Sequence, residues 1–192
     1  SQRSAFEAFC HQQEYWLQDY ARYQAVKNAR AGDPWLSWPT ELRAREPQAL
    51  ETVDFELAGA IRVEKALQFL FETQWHALRA EANRRRIRMI GDLPIFVALD
   101  SADVWAAQGL FRLDKTGAPT EVAGVPPDYF SKLGQRWGNP LYDWPAHVAQ
   151  DFSWWRSRIR RTLEMTDLMR IDHFRGFAAC WEIPADEPTA IH

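Results

Sequence analysis

The stretch that decides the fold is DLMRIDHFRGF, residues 167–177. It begins as a short buried strand, but Arg170 and Asp172 place opposite charges on one side of that strand, since side chains alternate along a strand. A strand covered on both faces should be a nearly continuous apolar run. Because burying an unpaired charge is costly, we expect these two side chains to pair or to face a cleft. A structural Arg–Asp brace and a functional pair explain the pattern about equally well.

The bulk composition excludes several classes of function. The 192 residues carry a net charge of −3, with 46% hydrophobic and 26% charged residues. These values are typical of a globular domain and give no basic surface for nucleic acid or an anionic membrane. Cys10 and Cys180 form no CxxC pair, and no apolar run approaches the roughly 20 residues that span a bilayer. We therefore expect a cytoplasmic protein, and leave its oligomeric state open.

Neither a metal nor an organic cofactor is predicted. The 5 histidines show no ligand spacing, and there is no Gly-x-Gly-x-x-Gly or Walker-type phosphate loop. A metal or nucleotide enzyme is therefore the least favoured class. Aromatic residues are unusually frequent, with 10 Trp, 11 Phe and 5 Tyr. They indicate either a large core or a cleft for a ligand that stacks on flat rings, such as a sugar.

The first part of the chain, residues 1–86, is predicted to be mostly helical. Apolar residues at three- and four-residue steps predict one helix over residues 6–30 and an amphipathic helix over residues 54–86. Between them, residues 35–39 (WLSWP) form an aromatic, proline-punctuated loop. A hydrophobic plug is slightly favoured over a lid for this loop.

The second part, residues 87–192, is predicted as strand, loop, helix and strand. A β-branched run over residues 87–97 predicts a strand with Asp92 near its C-terminal end, and residues 167–172 form the second strand. Between them we predict a short helix capped by Ser101, a small hairpin over residues 110–122, an ordered functional loop without regular structure over residues 123–144, and a helix over residues 151–166. Strands that alternate with helices and end in charged residues favour a (β/α)₈ barrel or a doubly wound sheet.

Three long motifs carry a specific resemblance. They lie in Gly91–Trp105 (GDLPIFV…DSADVW), Gly124–Tyr142 (GVPPDYFS…GQRWGNPLY) and Arg170–Pro184 (RIDHFRGF…WEIP), and residues 35–45 and 74–75 add to them. In this order they resemble the 4-α-glucanotransferases, the amylomaltase or disproportionating-enzyme family, glycoside hydrolase family 77 of the α-amylase clan. The similarity covers most of the chain. It implies α-1,4-glucan or malto-oligosaccharide donors and acceptors, and no cofactor.

The resemblance also implies a role for each of six residues. Asp172 matches the catalytic nucleophile, which forms a covalent glycosyl-enzyme, and Arg170 orients it and keeps it ionised. The loop around residues 126–131 lies over the cleft in the family and is expected to gate it. The positions that match substrate-binding residues are Asp92, Trp137, Asn139 and His173.

One departure from the family limits these expectations. Retaining transfer needs a second carboxyl group, an acid/base, about 5 Å from the nucleophile. In the family this glutamate and a stabilising aspartate follow the Trp-Glu-Ile-Pro segment, and Glu182, Asp186 and Glu187 do not match their motifs. A barrel also takes at least about 200 residues. We therefore expect residues 1–192 to form a single unit, an internal fragment of a (β/α)₈ TIM barrel with long inserted loops, which by itself shows no turnover.

Two other functions stay open at this point. A hydrolase of the same clan would pass the glycosyl unit to water, and the sequence does not separate the two activities, because the partition depends on acceptor binding and water exclusion. A non-catalytic fragment that holds a glucan on its aromatic rings is the alternative from another class.

Overall fold

The structure, a computed structural model, describes residues 2–191, and its contacts divide the chain into two compact units. One unit runs to Met89 and the other begins at Ile90, close to the predicted change from helices to strands at residues 86–87. That the chain functions as a single unit stays a prediction.

The described residues of the first unit are helical. Both predicted long helices are present, but each is interrupted once, at Gln13 (φ −101°, ψ 9°) and at Leu57 (φ −106°, ψ 18°). The helix that precedes Leu57 begins earlier than predicted, at Pro47, because proline is well suited to the first turn of a helix. The elements are α1 (Gln2–Gln12), α2 (Glu14–Ala29), a 3₁₀ turn (Trp35–Ser37), α3 (Thr40–Arg43), α4 (Pro47–Glu56) and α5 (Ala58–Arg84).

The aromatic loop between α2 and α3 is a hydrophobic plug, as predicted. Trp35 and Trp38 are both buried. The ring of Trp38 lies 5.4 Å from that of Tyr23, and its indole N–H donates to the backbone carbonyl of Asp33 at 3.2 Å. The loop therefore closes the helical core, with the polar edge of Trp38 satisfied by hydrogen bonding.

The second unit combines two small sheets with short helices. Its elements, in chain order, are β1 (Ile90–Leu93), α6 (Ala102–Ala106), a 3₁₀ turn (Gln108–Leu110), β2 (Glu121–Val125), β3 (Gln135–Pro140), α7 (Trp144–Ala149), α8 (Ser153–Met165), β4 (Leu168–Ile171), a 3₁₀ turn (Phe174–Phe177) and β5 (Trp181–Pro184).

The two predicted strands, β1 and β4, pair in parallel, with Asp92 opposite Arg170. Helix α8 and its C-cap pack closely against this pair: a Cβ on Gly91 would lie 3.3 Å from the side chain of Thr162 in α8 and 2.8 Å from that of Thr166, which follows the helix. The parallel pairing is confirmed. The expectation that the second strand is buried is wrong: Leu168 is 39% exposed, and exposed and half-buried residues alternate along β4. Within the described residues, α8 covers only one face of the pair.

The second sheet contradicts the prediction that residues 123–144 lack regular structure. Its strand order is β3-β2-β5, with β2 antiparallel to both neighbours. A Cβ on Gly124 would lie 2.3 Å from the carbonyl oxygen of Gln135 and 2.4 Å from Cδ1 of Ile183. Glycine is therefore required at this close approach inside a strand, whereas the sequence pattern alone predicts a loop here.

The predicted hairpin over residues 110–122 is formed only as a narrow turn. Leu113 and Pro119 make an isolated antiparallel bridge. The turn is held by the carboxylate of Asp114, which accepts the backbone N–H of Thr116 at 2.7 Å.

Replacing Gly124 with Ala is expected to lower the free energy of unfolding of the protein by about 1–3 kcal/mol, because the new methyl group overpacks a site bounded partly by backbone. Gly59→Ala is the matched control, since nothing lies within 4 Å of its Cβ position in α5. We expect this control to be neutral or stabilising by up to about 1 kcal/mol. Urea unfolding of both variants measures the difference, and equal effects of the two substitutions would contradict the packing described for β2.

Candidate active site

Arg170 joins the carboxylates of two neighbouring strands. Its Nη1 donates to Oδ1 of Asp92 at 2.9 Å, and its Nη2 donates to Oδ1 of Asp172. The backbone N–H of Asp172 donates to the carbonyl oxygen of Leu93 at 3.1 Å, which continues the parallel ladder by one residue. Parallel pairing thus brings the C-terminal ends of β1 and β4 to one edge. Three of the six predicted site residues meet there.

These three charged side chains are open to solvent. The exposed fractions are 62% for Arg170, 54% for Asp92 and 52% for Asp172. Exposed ion pairs contribute about 0–1 kcal/mol to stability. The arrangement is therefore a weak brace for the strand end, and it keeps two carboxylates accessible to a ligand.

Trp137 and His173 form the second part of the site. Their rings lie edge to face, with centroids 5.2 Å apart and an interplanar angle of 86°. His173 directly follows Asp172 and has φ +48°, in the left-handed region that non-glycine residues rarely adopt. This conformation ends the strand and turns the imidazole toward Trp137. Trp137, which is 38% exposed, also donates its indole N–H to Oε1 of Gln135 at 3.1 Å.

Asn139 is tied to the segment that follows β1. Its Nδ2 donates to the carbonyl oxygen of Val97 at 2.8 Å. One N–H of the Asn139 amide therefore makes a hydrogen bond within the protein, and this bond links β3 to the segment that follows Asp92. A contact of Asn139 with substrate stays a prediction.

The predicted gate, residues 126–131, carries two highly exposed aromatic rings. Tyr129 and Phe130 are 96% and 91% exposed and contact each other edge to face at 5.6 Å. The carboxylate of Asp128 shapes the turn by accepting the backbone N–H groups of Phe130 at 2.9 Å and Ser131 at 2.7 Å. The gating role stays a prediction.

Two supporting residues of the site were missed in the sequence. The ring of Phe96 lies 6.2 Å from Trp137 and 5.9 Å from Tyr142, nearly parallel to the latter. Both residues lie inside the quoted motifs, but their aromatic character was the only signal. Nothing in the local pattern indicates that they stack against each other.

The chemistry of the site is that of carboxylates and aromatic rings. Among residues 2–191, no group of three or more His, Cys, Asp and Glu side chains is placed to hold a metal ion. An accessible carboxylate held by a guanidinium can act as a nucleophile or stabilise a cation, and an adjacent indole can pack on the C–H face of a sugar ring.

Comparison with known proteins fixes the family. The sequence matches the profile described as 4-alpha-glucanotransferase over residues 1–192. It is 54% identical over 190 residues to the 4-alpha-glucanotransferase of Thermus thermophilus, a match that covers 99% of this chain. The chain belongs to the 4-alpha-glucanotransferase family. The resemblance read from the three motifs is thereby confirmed.

Members of this family with solved structures share its fold. This chain superimposes on the amylomaltase of Streptococcus agalactiae, solved in complex with acarbose, with a TM-score of 0.91 and 40% sequence identity over 96% of its length. The mixed helix and strand architecture is therefore similar to that of part of an amylomaltase. This chain spans 38% of the Thermus thermophilus protein and 37% of the Streptococcus agalactiae chain.

Some relatives in the family are plastid proteins. The potato (Solanum tuberosum) relative, 46% identical over 176 residues that make up 92% of this chain and 31% of that protein, is described as chloroplastic/amyloplastic. Within residues 2–191, every helix is too short or too polar to cross a membrane. A cytoplasmic location for this chain stays a prediction.

Replacing Arg170 with Met tests whether the ion pairs brace the fold. Because the three side chains are exposed, we expect the free energy of unfolding to fall by less than about 1 kcal/mol. Arg156→Met provides the baseline, since it removes another exposed pair, between Arg156 and Asp151 at 2.6 Å. Denaturant unfolding of both variants gives the comparison. A loss of about 3 kcal/mol or more for Arg170→Met alone, as for a broken buried pair, would favour the structural brace.

Proposed function

We propose that the chain carries the nucleophile of an enzyme that transfers α-1,4-glucan segments between malto-oligosaccharides with retention of configuration. The observation that carries the proposal is that Arg170 donates one hydrogen bond to Asp92 and one to Asp172 at the ends of two parallel strands. Family membership supports the class of reaction, and the motif match together with this geometry supports the choice of residue. Asp172 is the nucleophile, and Arg170 orients it.

The charge of this cluster suits the transition state. One guanidinium and two carboxylates leave a net charge of −1 at an accessible strand end. Glycosyl transfer proceeds through a transition state with oxocarbenium-ion character, which is positively charged. A fixed negative cluster stabilises that charge as it develops. The positive charge of Arg170 offsets the repulsion between the two carboxylates.

In the first step, a carboxylate oxygen of Asp172 attacks the anomeric carbon of a glucosyl unit. The bond from that carbon to the bridging oxygen breaks, and the released 4-hydroxyl oxygen takes a proton from a general acid. Trp137 packs on the sugar, while His173, Asn139 and Asp92 hydrogen-bond its hydroxyl groups. The product is a glucosyl ester of Asp172.

In the second step, the 4-hydroxyl of an acceptor sugar attacks the same carbon. Its proton passes to the conjugate base of the general acid, and the ester bond to Asp172 breaks. Two inversions at one carbon give net retention. No cofactor takes part in either step.

The general acid is the group that this cluster does not provide. Asp92 and Asp172 both accept a hydrogen bond from Arg170, and in the proposed mechanism the proton for the leaving oxygen comes from another group. The matched relatives are more than twice as long as this chain. We therefore propose that the chain is a nucleophile-bearing part of a longer (β/α)₈ barrel enzyme, with β1 and β4 as two of its parallel strands, and that the 192 residues alone give no turnover.

Incubation with maltotriose tests the proposed reaction. We expect a longer protein that contains this chain to form both longer and shorter maltodextrins, and Asp172→Asn to lower that rate by about 10³-fold or more, because the nucleophile is lost. Asp151→Asn is the matched control: Asp151 is 87% exposed and pairs only with Arg156 among the described contacts. Its activity should equal that of the unmodified protein.

The other outcomes identify the alternatives. Glucose and maltose without longer products would identify a hydrolase of the same clan. Full activity of the Asp172→Asn variant would reject the proposed nucleophile. Turnover by the purified 192-residue chain would reject the proposal that its general acid lies elsewhere.

A further inference from the structure

The segment that follows β1 is held by three side chains that bond to its backbone. The carbonyl oxygen of Ile95 accepts the hydroxyl of Tyr142 at 2.5 Å and Nη1 of Arg158 at 3.4 Å. The carbonyl oxygen of Val97 accepts the amide of Asn139 at 2.8 Å. Pro94 ends the strand ladder, so these bonds replace the strand pairing that the segment lacks.

Tyr142 is the strongest of these anchors. It is buried, with 4% of its surface exposed. Burial raises the pKa of its hydroxyl well above the ordinary tyrosine value, so the group stays protonated and acts as the donor to Ile95. Removing this donor would leave a buried carbonyl with only the longer bond to Arg158.

A chain of ring contacts leads from Tyr142 to the proposed sugar site. The rings of Tyr142 and Phe96 stack with centroids 5.9 Å apart and an angle of 17°. Phe96 in turn lies 6.2 Å from Trp137, which contacts His173 at 5.2 Å. Phe96 lies between the two anchored carbonyls, so the backbone bonds fix the ring that supports Trp137.

A second path reaches His173 through Gly176. A Cβ on Gly176 would lie 3.3 Å from Cδ1 of Ile95 and 3.1 Å from Cδ2 of His173. The Ile95 side chain and the imidazole therefore pack against the same glycine without spare room. We therefore expect a displacement of Ile95 to change the packing around His173 as well as around Phe96.

We propose that Tyr142 is a positioning residue of the site: its hydroxyl fixes Ile95, and its ring supports Phe96, so that Trp137 and His173 are held in the geometry that receives the sugar. The role in sugar binding rests on the function proposed above. The role in holding the two rings does not.

Tyr142→Phe tests this inference, because it removes the hydroxyl and keeps the ring. We expect the ring-proton NMR signals of His173 and the indole N–H signal of Trp137 to shift, and the dissociation constant for maltotriose to rise about three- to tenfold, as for a lost hydrogen bond. Trp137→Phe and His173→Gln assign the signals. Tyr20→Phe is the matched control, since it removes a hydroxyl in the helical unit that accepts a bond from Gln68, and it should change neither quantity.

Phe96→Leu is the second variant, in case Tyr142→Phe does not fold. It keeps the hydroxyl and removes the stacked ring, and we expect it to shift the same two signals. Unchanged Trp137 and His173 signals in a folded variant of either kind would overturn the positioning role. Shifted signals with unchanged maltotriose affinity would support the ring contacts and overturn the proposed sugar contact. Lower unfolding stability with neither change would show a purely structural residue and overturn the inference.

Discussion

The site depends on one guanidinium that bonds to carboxylates from two adjacent parallel strands. Arg170 is opposite Asp92 in the register of β1 and β4, and it reaches Asp172 two residues further along its own strand. Because all three side chains are more than half exposed, the cluster contributes little to stability. The cluster instead orients its carboxylates, since the planar guanidinium group of Arg170 bonds to both of them at once. Strand register therefore determines the position of Asp172, the proposed nucleophile.

Around this cluster, the positions of the aromatic side chains depend on contacts between segments that are far apart in sequence. Tyr142 bonds to Ile95 across 47 residues, and Asn139 bonds to Val97 across 42. These contacts fix the chain directly after Asp92, where strand pairing has ended. The left-handed backbone of His173 then brings its ring to Trp137. The solvent-exposed carboxylate cluster is therefore bordered by aromatic rings, and the bonds of Tyr142 and Asn139 to the backbone hold these rings in position.

The sequence predicted those features that local physics determines. Charges inside an apolar strand indicated Arg170 and Asp172, and Ser101 caps its helix by accepting the backbone N–H of Val104 at 3.2 Å, as expected. The predictions that were wrong concern features that depend on tertiary contacts. The sequence pattern predicts a loop at Gly124, yet this residue lies in a central strand, where Gln135 and Ile183 leave no room for a side chain. The stacking of Phe96 on Tyr142 has no local signature at all. The family resemblance, unlike the local pattern, predicted all six site residues together, and their roles stay predictions.

Covalent trapping tests the central claim, that Arg170 presents Asp172 as a nucleophile, most directly. With 5-fluoro-α-D-glucosyl fluoride, a carboxylate displaces fluoride, and this leaving group needs little help from a general acid, so the reagent suits the chain itself. Mass spectrometry of the digested protein should find one fluoroglucosyl group, on the peptide that contains Asp172, and none in Asp172→Asn. A label on any other carboxylate, or no label on Asp172 under conditions in which maltotriose binds, would contradict the account.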